Sequence, residues 1–136
     1  MRISKREYYL GIAKSVAERS TCLRRHYGAV IVQNDEIIAT GYNGAARNDV
    51  NCCDTGICHR QHCDHNDGNY GQCPAVHAEQ NAIISASRKE MLGSTLYLYG
   101  YDCETQKAIT ATPCPICARM IQNAGIEFVV GSIKEV

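Results

Sequence analysis

The chain has 136 residues, a length that suits one domain with its own hydrophobic core, and we expect residues 1–136 to form a single domain. Fourteen basic and fourteen acidic side chains give a net charge of zero, which argues against duplex nucleic acid or an anionic membrane as a partner. No apolar run is long enough to span a bilayer, and the first residues lack the apolar segment of a secretory signal. These features predict a cytoplasmic protein.

Nine cysteines and five histidines stand out in a chain of this size. An odd number of cysteines without an export signal favours metal binding in a reducing compartment over disulfide bonds. The alternative is that several of these cysteines are small buried apolar residues.

The first half of the chain predicts one helix and one hairpin. Apolar spacing over residues 5–19 is typical of an amphipathic helix. Two segments rich in β-branched residues, 27–33 and 36–41, flank a polar pair at 34–35 and predict a β-hairpin with a tight turn. Residues 42–74 show no periodicity and hold five of the nine cysteines, and loops of this length are usually functional or specially braced.

The second half alternates helices with strands. It predicts a helix over 76–89, strands over 96–99 and 108–111, a helix over 116–124 that ends at Gly125, and a strand over 126–130. Strands that alternate with helices predict an α/β fold whose sheet is covered on both faces.

Two short segments carry the chemistry, a His-x-Glu sequence at His77 and a Pro-Cys-x-x-Cys sequence at Cys114 and Cys117. Cys114 and Cys117 are three residues apart at a predicted helix start, so their sulfurs should face the same way, and the helix N-terminus should lower the thiol pKa. With one nitrogen of His77 they make three ligands. A tetrahedral zinc held in this way keeps a fourth position where water can become a nucleophile.

Glu79 follows His77 by two residues, so it should point away from the metal–ligand direction but stay within the same pocket. Its carboxylate could take a proton from the attacking water and deliver protons to the substrate, which hydrolytic deamination requires. The alternative is a structural Cys-x-x-Cys knuckle with an unrelated histidine, and Glu79 and the flanking prolines argue against it.

The His-x-Glu and Pro-Cys-x-x-Cys segments together resemble the signature of the zinc-dependent cytidine and deoxycytidylate deaminase superfamily. Residues 21–25, 28–32, 39–44 and 77–83 look like its deoxycytidylate branch, and the resemblance covers nearly the whole chain. It implies a three-layer α/β/α cytidine deaminase-like fold around a mixed central sheet. It also implies hydrolysis of dCMP to dUMP and ammonia by a homo-oligomer, commonly a hexamer, with dCTP and dTTP as allosteric effectors in some members.

The same resemblance implies three substrate-binding residues, Asn43, Arg24 and Ala78. Asn43 stands in a Gly-Tyr-Asn-Gly loop that approaches the nucleotide sugar, and Arg24 matches a phosphate contact. Ala78, between His77 and Glu79, belongs to the same pocket. The alternatives are a solvated surface arginine at Arg24 and a turn residue with positive φ at Asn43.

Some members of the deoxycytidylate branch carry a second, structural zinc. The matching positions are Cys22, Cys52 or Cys53, and Cys73. The long loop offers further ligands at Cys58, His59, His62, Cys63 and His65, so even two structural zincs are conceivable, while Cys103 receives no role. Ordering each loop residue costs about 1–2 kcal/mol, which the few apolar residues cannot offset, whereas a structural zinc contributes roughly 10 kcal/mol.

Three other functions share parts of these motifs. A tRNA adenosine deaminase carries the same zinc segments, but a structured RNA usually requires a basic surface, and the net charge here is zero. A deaminase of free cytidine or deoxycytidine would leave Arg24 without a role. A non-catalytic zinc-binding module would not need Glu79. The sequence therefore favours zinc-dependent deamination of a cytosine nucleotide.

Overall fold

The computed structural model describes residues 1–58 and 73–136. Its elements are, in chain order, α1 (Lys5–Ala17), β1 (Arg25–Gln33), β2 (Glu36–Tyr42), β3 (Gly44–Ala45), α2 (Cys52–Thr55), β4 (Ala75–Val76), α3 (Ala78–Ile84), α4 (Arg88–Met91), β5 (Thr95–Asp102), β6 (Ala108–Ile109), α5 (Pro115–Ala124) and β7 (Phe128–Gly131). In the described part of the chain, no helix has the length and apolar character needed to cross a membrane.

The central sheet is mixed. Strands run in the order β2-β1-β5-β6 with antiparallel pairing, and β7 pairs with β5 in parallel. Along one edge of β5, residues 95–98 pair with β7 and residues 100–101 pair with β6. The short strands β3 and β4 form a separate antiparallel pair.

The β1–β2 connection is the tight turn that the sequence predicts. Asn34 and Asp35 both adopt positive φ, 51° and 62°, as a type I′ turn requires. The Asp35 carboxylate accepts hydrogen bonds from the Tyr9 hydroxyl and from the Lys5 ammonium, the latter at 2.9 Å. The first turns of α1 are thereby fixed to the hairpin.

Helices cover both faces of the sheet, as alternation along β1 requires. Val30 and Val32 point to one face, where they pack against Tyr9 and Ala13 of α1. The opposite face packs against α3 and α5 through a larger cluster that includes Ala29, Ile31, Leu96, Leu98, Ala78, Ala82, Ile121 and Ala124. The predicted three-layer α/β/α fold with a mixed sheet is confirmed.

Two predictions for the middle of the chain need correction. The predicted helix over 76–89 is divided into α3 and α4, because Ser87 and Glu90 form a capping box that starts a new helix. The Ser87 hydroxyl accepts a hydrogen bond from the Glu90 amide at 3.2 Å. The described part of residues 42–74 also contains two short elements, β3 and α2, which have too few residues to show a periodicity.

Gly41 lets α3 pack directly on β2. A β-carbon at this position would overlap the backbone nitrogen of Ala82 and the carbonyl oxygen of Ala78. Because backbone atoms of a packed helix cannot move aside, Gly41→Ala should destabilise the protein by about 3 kcal/mol or more. Differential scanning calorimetry should show a fall in Tm on the order of 10 °C.

Gly11→Ala is the matched control for this variant. Gly11 is exposed on α1, and a β-carbon there meets no atom within 4 Å. Alanine favours a helix over glycine by about 0.5–1 kcal/mol, so the Tm should stay constant or rise. Equal Tm values for the two variants would show that α3 does not pack against Gly41 in solution.

Candidate metal centre and substrate pocket

Two helix starts form the centre of the site. His77 precedes α3, and its backbone amide donates to the Gln80 side chain at 2.9 Å. Asn81 then ties α3 to the end of β2, since its side chain donates to the Tyr42 carbonyl at 2.8 Å. Cys114 caps the start of α5 with its side chain, since its sulfur accepts from the Cys117 amide at 3.5 Å.

The three predicted zinc ligands lie together. Nδ1 of His77 is 3.6 Å from Sγ of Cys114 and 3.2 Å from Sγ of Cys117, and all three ligand atoms lie within 4.8 Å of one another. Zinc lies about 2.3 Å from sulfur and about 2.0 Å from nitrogen, so tetrahedral ligand atoms stand about 3.5 Å apart. The donor set and its spacing therefore fit zinc.

Glu79 is a buried carboxyl next to this cluster, with 5% of its surface exposed. Burial raises the pKa of Glu79, while its own backbone amide and the Cys117 thiol lower it in part. Burial therefore favours the protonated form of this carboxyl, and ionisable groups with shifted pKa values are common at functional sites.

At Cys117 the pKa changes in the direction opposite to the one predicted from the helix start. Its pKa is raised, first by burial and then by the neighbouring Glu79 and Cys114. The sulfur is fully buried, so the cost of removing its charge from water exceeds the favourable helix dipole.

A cavity of about 350 Å³ opens onto the centre. All three predicted substrate-binding residues, Arg24, Asn43 and Ala78, line it together with His77, Glu79 and Cys114. Sequence reasoning missed several further lining residues, among them Tyr27, Thr110 and Thr112. The two threonines lie just before the Pro-Cys-x-x-Cys segment and could have been found there, whereas Tyr27 carries no such signal.

Asn43 has a structural role that the sequence did not reveal. Its side-chain oxygen accepts from the Tyr27 amide at 2.8 Å, and its side-chain nitrogen donates to the Arg25 carbonyl at 3.0 Å. The alternative of a turn residue with positive φ is wrong, since Asn43 is absent from the described residues that adopt it. An amide can form four hydrogen bonds, so these contacts leave capacity for a ligand.

Arg24 is half-buried at the cavity wall, so it is not a fully solvated arginine. Its backbone amide faces the Cys22 sulfur at 3.4 Å, which places the two residues in one tight segment. We call residues 22–24 the Cys22–Arg24 segment.

The predicted structural-metal residues lie near one another. Cys22, Cys58 and Cys73 line the cavity, and burial raises the pKa of Cys52, with further increases from the thiols of Cys22, Cys73, Cys58 and Cys53. Cys53 is exposed. Among the described residues, only His77, Cys114 and Cys117 form a group with ligand atoms within 4.8 Å. His59, His62, Cys63 and His65 lie outside the described residues.

Comparison with known proteins assigns the family. Residues 3–133 match the model described as the cytidine and deoxycytidylate deaminase zinc-binding region. The chain is 37% identical over 131 residues to the deoxycytidylate deaminase of Mycobacterium phage D29, with 91% of each chain covered. It is 39% identical over 133 residues to the deoxycytidylate deaminase of Saccharomyces cerevisiae, and the match spans 97% of this chain and 38% of that protein.

Solved structures agree with this assignment. The dCMP deaminase of cyanophage S-TIM5 in its apo form superposes with a TM-score of 0.69 at 29% identity, covering 98% of this chain and 86% of that chain. Its complex with dCMP and dUMP gives a TM-score of 0.65, with 96% and 82% covered. The resemblance stated from the sequence is confirmed. The chain belongs to the cytidine and deoxycytidylate deaminase family.

Proposed function

We propose that this protein is a zinc-dependent deoxycytidylate deaminase, which hydrolyses dCMP to dUMP and ammonia. The observation that carries the proposal is the close grouping of His77, Cys114 and Cys117 at a cavity that His77, Cys114 and the buried Glu79 line. The names of the phage and yeast relatives, and the dCMP and dUMP bound in the cyanophage enzyme, support dCMP as the substrate.

Different residues at the site bind the metal and transfer protons. When bound by His77, Cys114 and Cys117, zinc supplies Lewis-acid activation of water. Glu79 accepts one proton from the attacking water and passes it to the ring nitrogen, then accepts the second from the hydroxyl added to the ring carbon and passes it to the amine, which leaves as ammonia. Burial of Glu79 keeps the transferred protons away from bulk solvent. The small side chain of Ala78 lines the cavity next to Glu79.

The net charge of the chain is zero, so it offers no general positive field to attract the phosphate of the substrate. A nucleotide monophosphate carries close to two negative charges near neutral pH. Recognition therefore depends on individual donors, and the guanidinium of Arg24 at the cavity wall is suited to a phosphate. Asn43 would present its remaining amide capacity to the sugar.

A substrate panel tests this proposal against its alternatives. The kcat/KM for ammonia release should be highest with dCMP. The substrates for comparison are cytidine, deoxycytidine, CMP, dCTP and an adenosine-containing RNA. Preference for the RNA would indicate a tRNA adenosine deaminase, and preference for deoxycytidine would indicate a nucleoside deaminase. Absence of ammonia from all of them would support a non-catalytic zinc module.

Arg24→Ala should lower the ratio of kcat/KM for dCMP to that for deoxycytidine by about 10- to 100-fold. The estimate rests on charge-assisted hydrogen bonds of roughly 1.5–3 kcal/mol to the phosphate, which deoxycytidine lacks. Arg19→Ala is the control, since Arg19 is exposed and lies outside the cavity lining. An unchanged ratio in Arg24→Ala would assign the phosphate contact to another residue.

A second, structural zinc near the cavity is part of the proposal. The nearby thiols of Cys22, Cys52 and Cys73 support it, and the exposed Cys53 is the weaker of the two neighbouring choices. Free thiols available to a metal also suit the reducing cytoplasm that we propose as its location.

We also propose that residues 1–136 form one deaminase domain that assembles as a homo-oligomer, commonly a hexamer in this branch. The family match over residues 3–133 supports the single domain. Phe128 and Val129 on β7 are 59% and 40% exposed, and an assembly could cover them. Regulation by dCTP and dTTP stays a prediction from the resemblance.

A further inference from the structure

A histidine–tyrosine pair lies behind the cavity, outside its lining. His26 of β1 and Tyr101 of β5 are directly opposite in the antiparallel register. Nδ1 of His26 lies 2.8 Å from the Tyr101 hydroxyl, and the two rings meet edge to face with centroids 5.2 Å apart. Tyr101 is only 6% exposed, so the sheet holds this pair in one arrangement.

The other nitrogen of His26 reaches the pocket wall. Nε2 lies 2.9 Å from the backbone carbonyl of Cys22. A carbonyl oxygen can only accept, so Nε2 carries the hydrogen, and in the neutral ring Nδ1 then accepts from the Tyr101 hydroxyl. Both ring nitrogens of His26 therefore have a hydrogen-bond partner.

Cys103 adds two contacts from the end of β5. Its thiol lies 3.8 Å from the same Cys22 carbonyl, and its backbone amide donates to the Arg24 carbonyl at 3.0 Å. The Cys22–Arg24 segment belongs to neither a helix nor a strand, so these contacts fix its position relative to the sheet.

We propose that His26, oriented by Tyr101, is a positioning residue that sets the Cys22–Arg24 segment at the phosphate end of the pocket. Cys22 and Arg24 line the cavity, whereas His26 and Tyr101 do not, so the pair acts through the segment. This inference rests on the proposed function, because it assigns to His26 part of the preference for a phosphorylated substrate.

Three variants test the positioning role by steady-state kinetics on dCMP and deoxycytidine. His26→Leu removes both hydrogen bonds, Tyr101→Phe removes only the orienting hydroxyl, and His26→Gln restores a donor that can reach the Cys22 carbonyl. His26→Leu should raise KM for dCMP relative to that for deoxycytidine by about 3- to 10-fold, with kcat affected less. Tyr101→Phe should act in the same direction but less strongly, and His26→Gln should recover part of the loss.

A double-mutant cycle with Arg24→Ala makes the test specific. If His26 acts through Arg24, His26→Leu should have little further effect on the dCMP preference in the Arg24→Ala background. Fully additive effects would overturn the inference. Equal losses on both substrates would also overturn it, since they would indicate a general structural role.

The cycle separates the two proposals. If Arg24→Ala changes the dCMP preference and His26→Leu does not, the positioning role fails while the phosphate contact stands. If Arg24→Ala itself leaves the preference unchanged, the phosphate contact of the proposed function fails. If His26→Leu does not fold, Tyr101→Phe, which keeps the ring, supplies the same comparison.

Discussion

Glu79→Gln should retain zinc and lose turnover of dCMP by about 10²- to 10⁴-fold, the usual contribution of a general acid–base group. The amide has nearly the shape of the carboxyl, so the buried position of Glu79 should be preserved. The glutamine amide cannot accept a proton from water or deliver one to the ring nitrogen and the leaving amine. The loss should therefore appear in kcat. The change in ultraviolet absorbance as dCMP becomes dUMP measures it.

Zinc content and fold are measured on the same preparation. Elemental analysis should give equal zinc in Glu79→Gln and in the unmodified protein. Glu104→Gln is the control, because Glu104 is exposed and lies outside the cavity. A Glu79→Gln enzyme with unaltered kcat would assign the proton transfers to another group.

Cys117→Ala should remove one equivalent of zinc and lower turnover by about 10³-fold or more, since the activated nucleophile is lost with the metal. Cys117 is fully buried and is one of the three proposed ligands, which form the one such group among the described residues. Elemental analysis of the purified variant measures the zinc, and circular dichroism reports whether the fold persists.

Cys22→Ala distinguishes the second zinc from the first. If the proposed structural metal is bound, this variant should lose one equivalent of zinc but keep the one held by His77, Cys114 and Cys117. Cys53→Ser serves as the control, because the exposed Cys53 is not expected to bind the metal. A single zinc equivalent in the unmodified protein would contradict the second site and leave the first intact.

Local patterns accounted for much of the fold. The turn at Asn34 and Asp35 could be predicted because a two-residue hairpin demands positive φ, which those side chains tolerate. The division between α3 and α4 was missed, since the apolar spacing continues through the Ser87 cap. The periodicity of apolar residues indicates which face of a helix is buried. Where the helix ends depends instead on individual capping hydrogen bonds.

The grouping of the candidate metal ligands was predictable for the same reason that local structure was. Each half of it, His77 with Glu79 and Cys114 with Cys117, lies within a single helix start. The contacts of Asn43 and His26 were not predictable, because they depend on how β1 pairs with β5 and meets the chain after β2. Such contacts join residues far apart in sequence.

The most direct test of the central claim is dUMP formation from dCMP by one protein preparation before chelation, after zinc removal and after zinc is returned, with bound zinc measured in each sample. We expect rapid conversion by the zinc-loaded protein, loss of conversion with loss of zinc, and recovery when zinc is restored. Undiminished dUMP formation by zinc-free protein, or none by protein fully loaded with zinc, would contradict the assignment of a zinc-dependent deoxycytidylate deaminase.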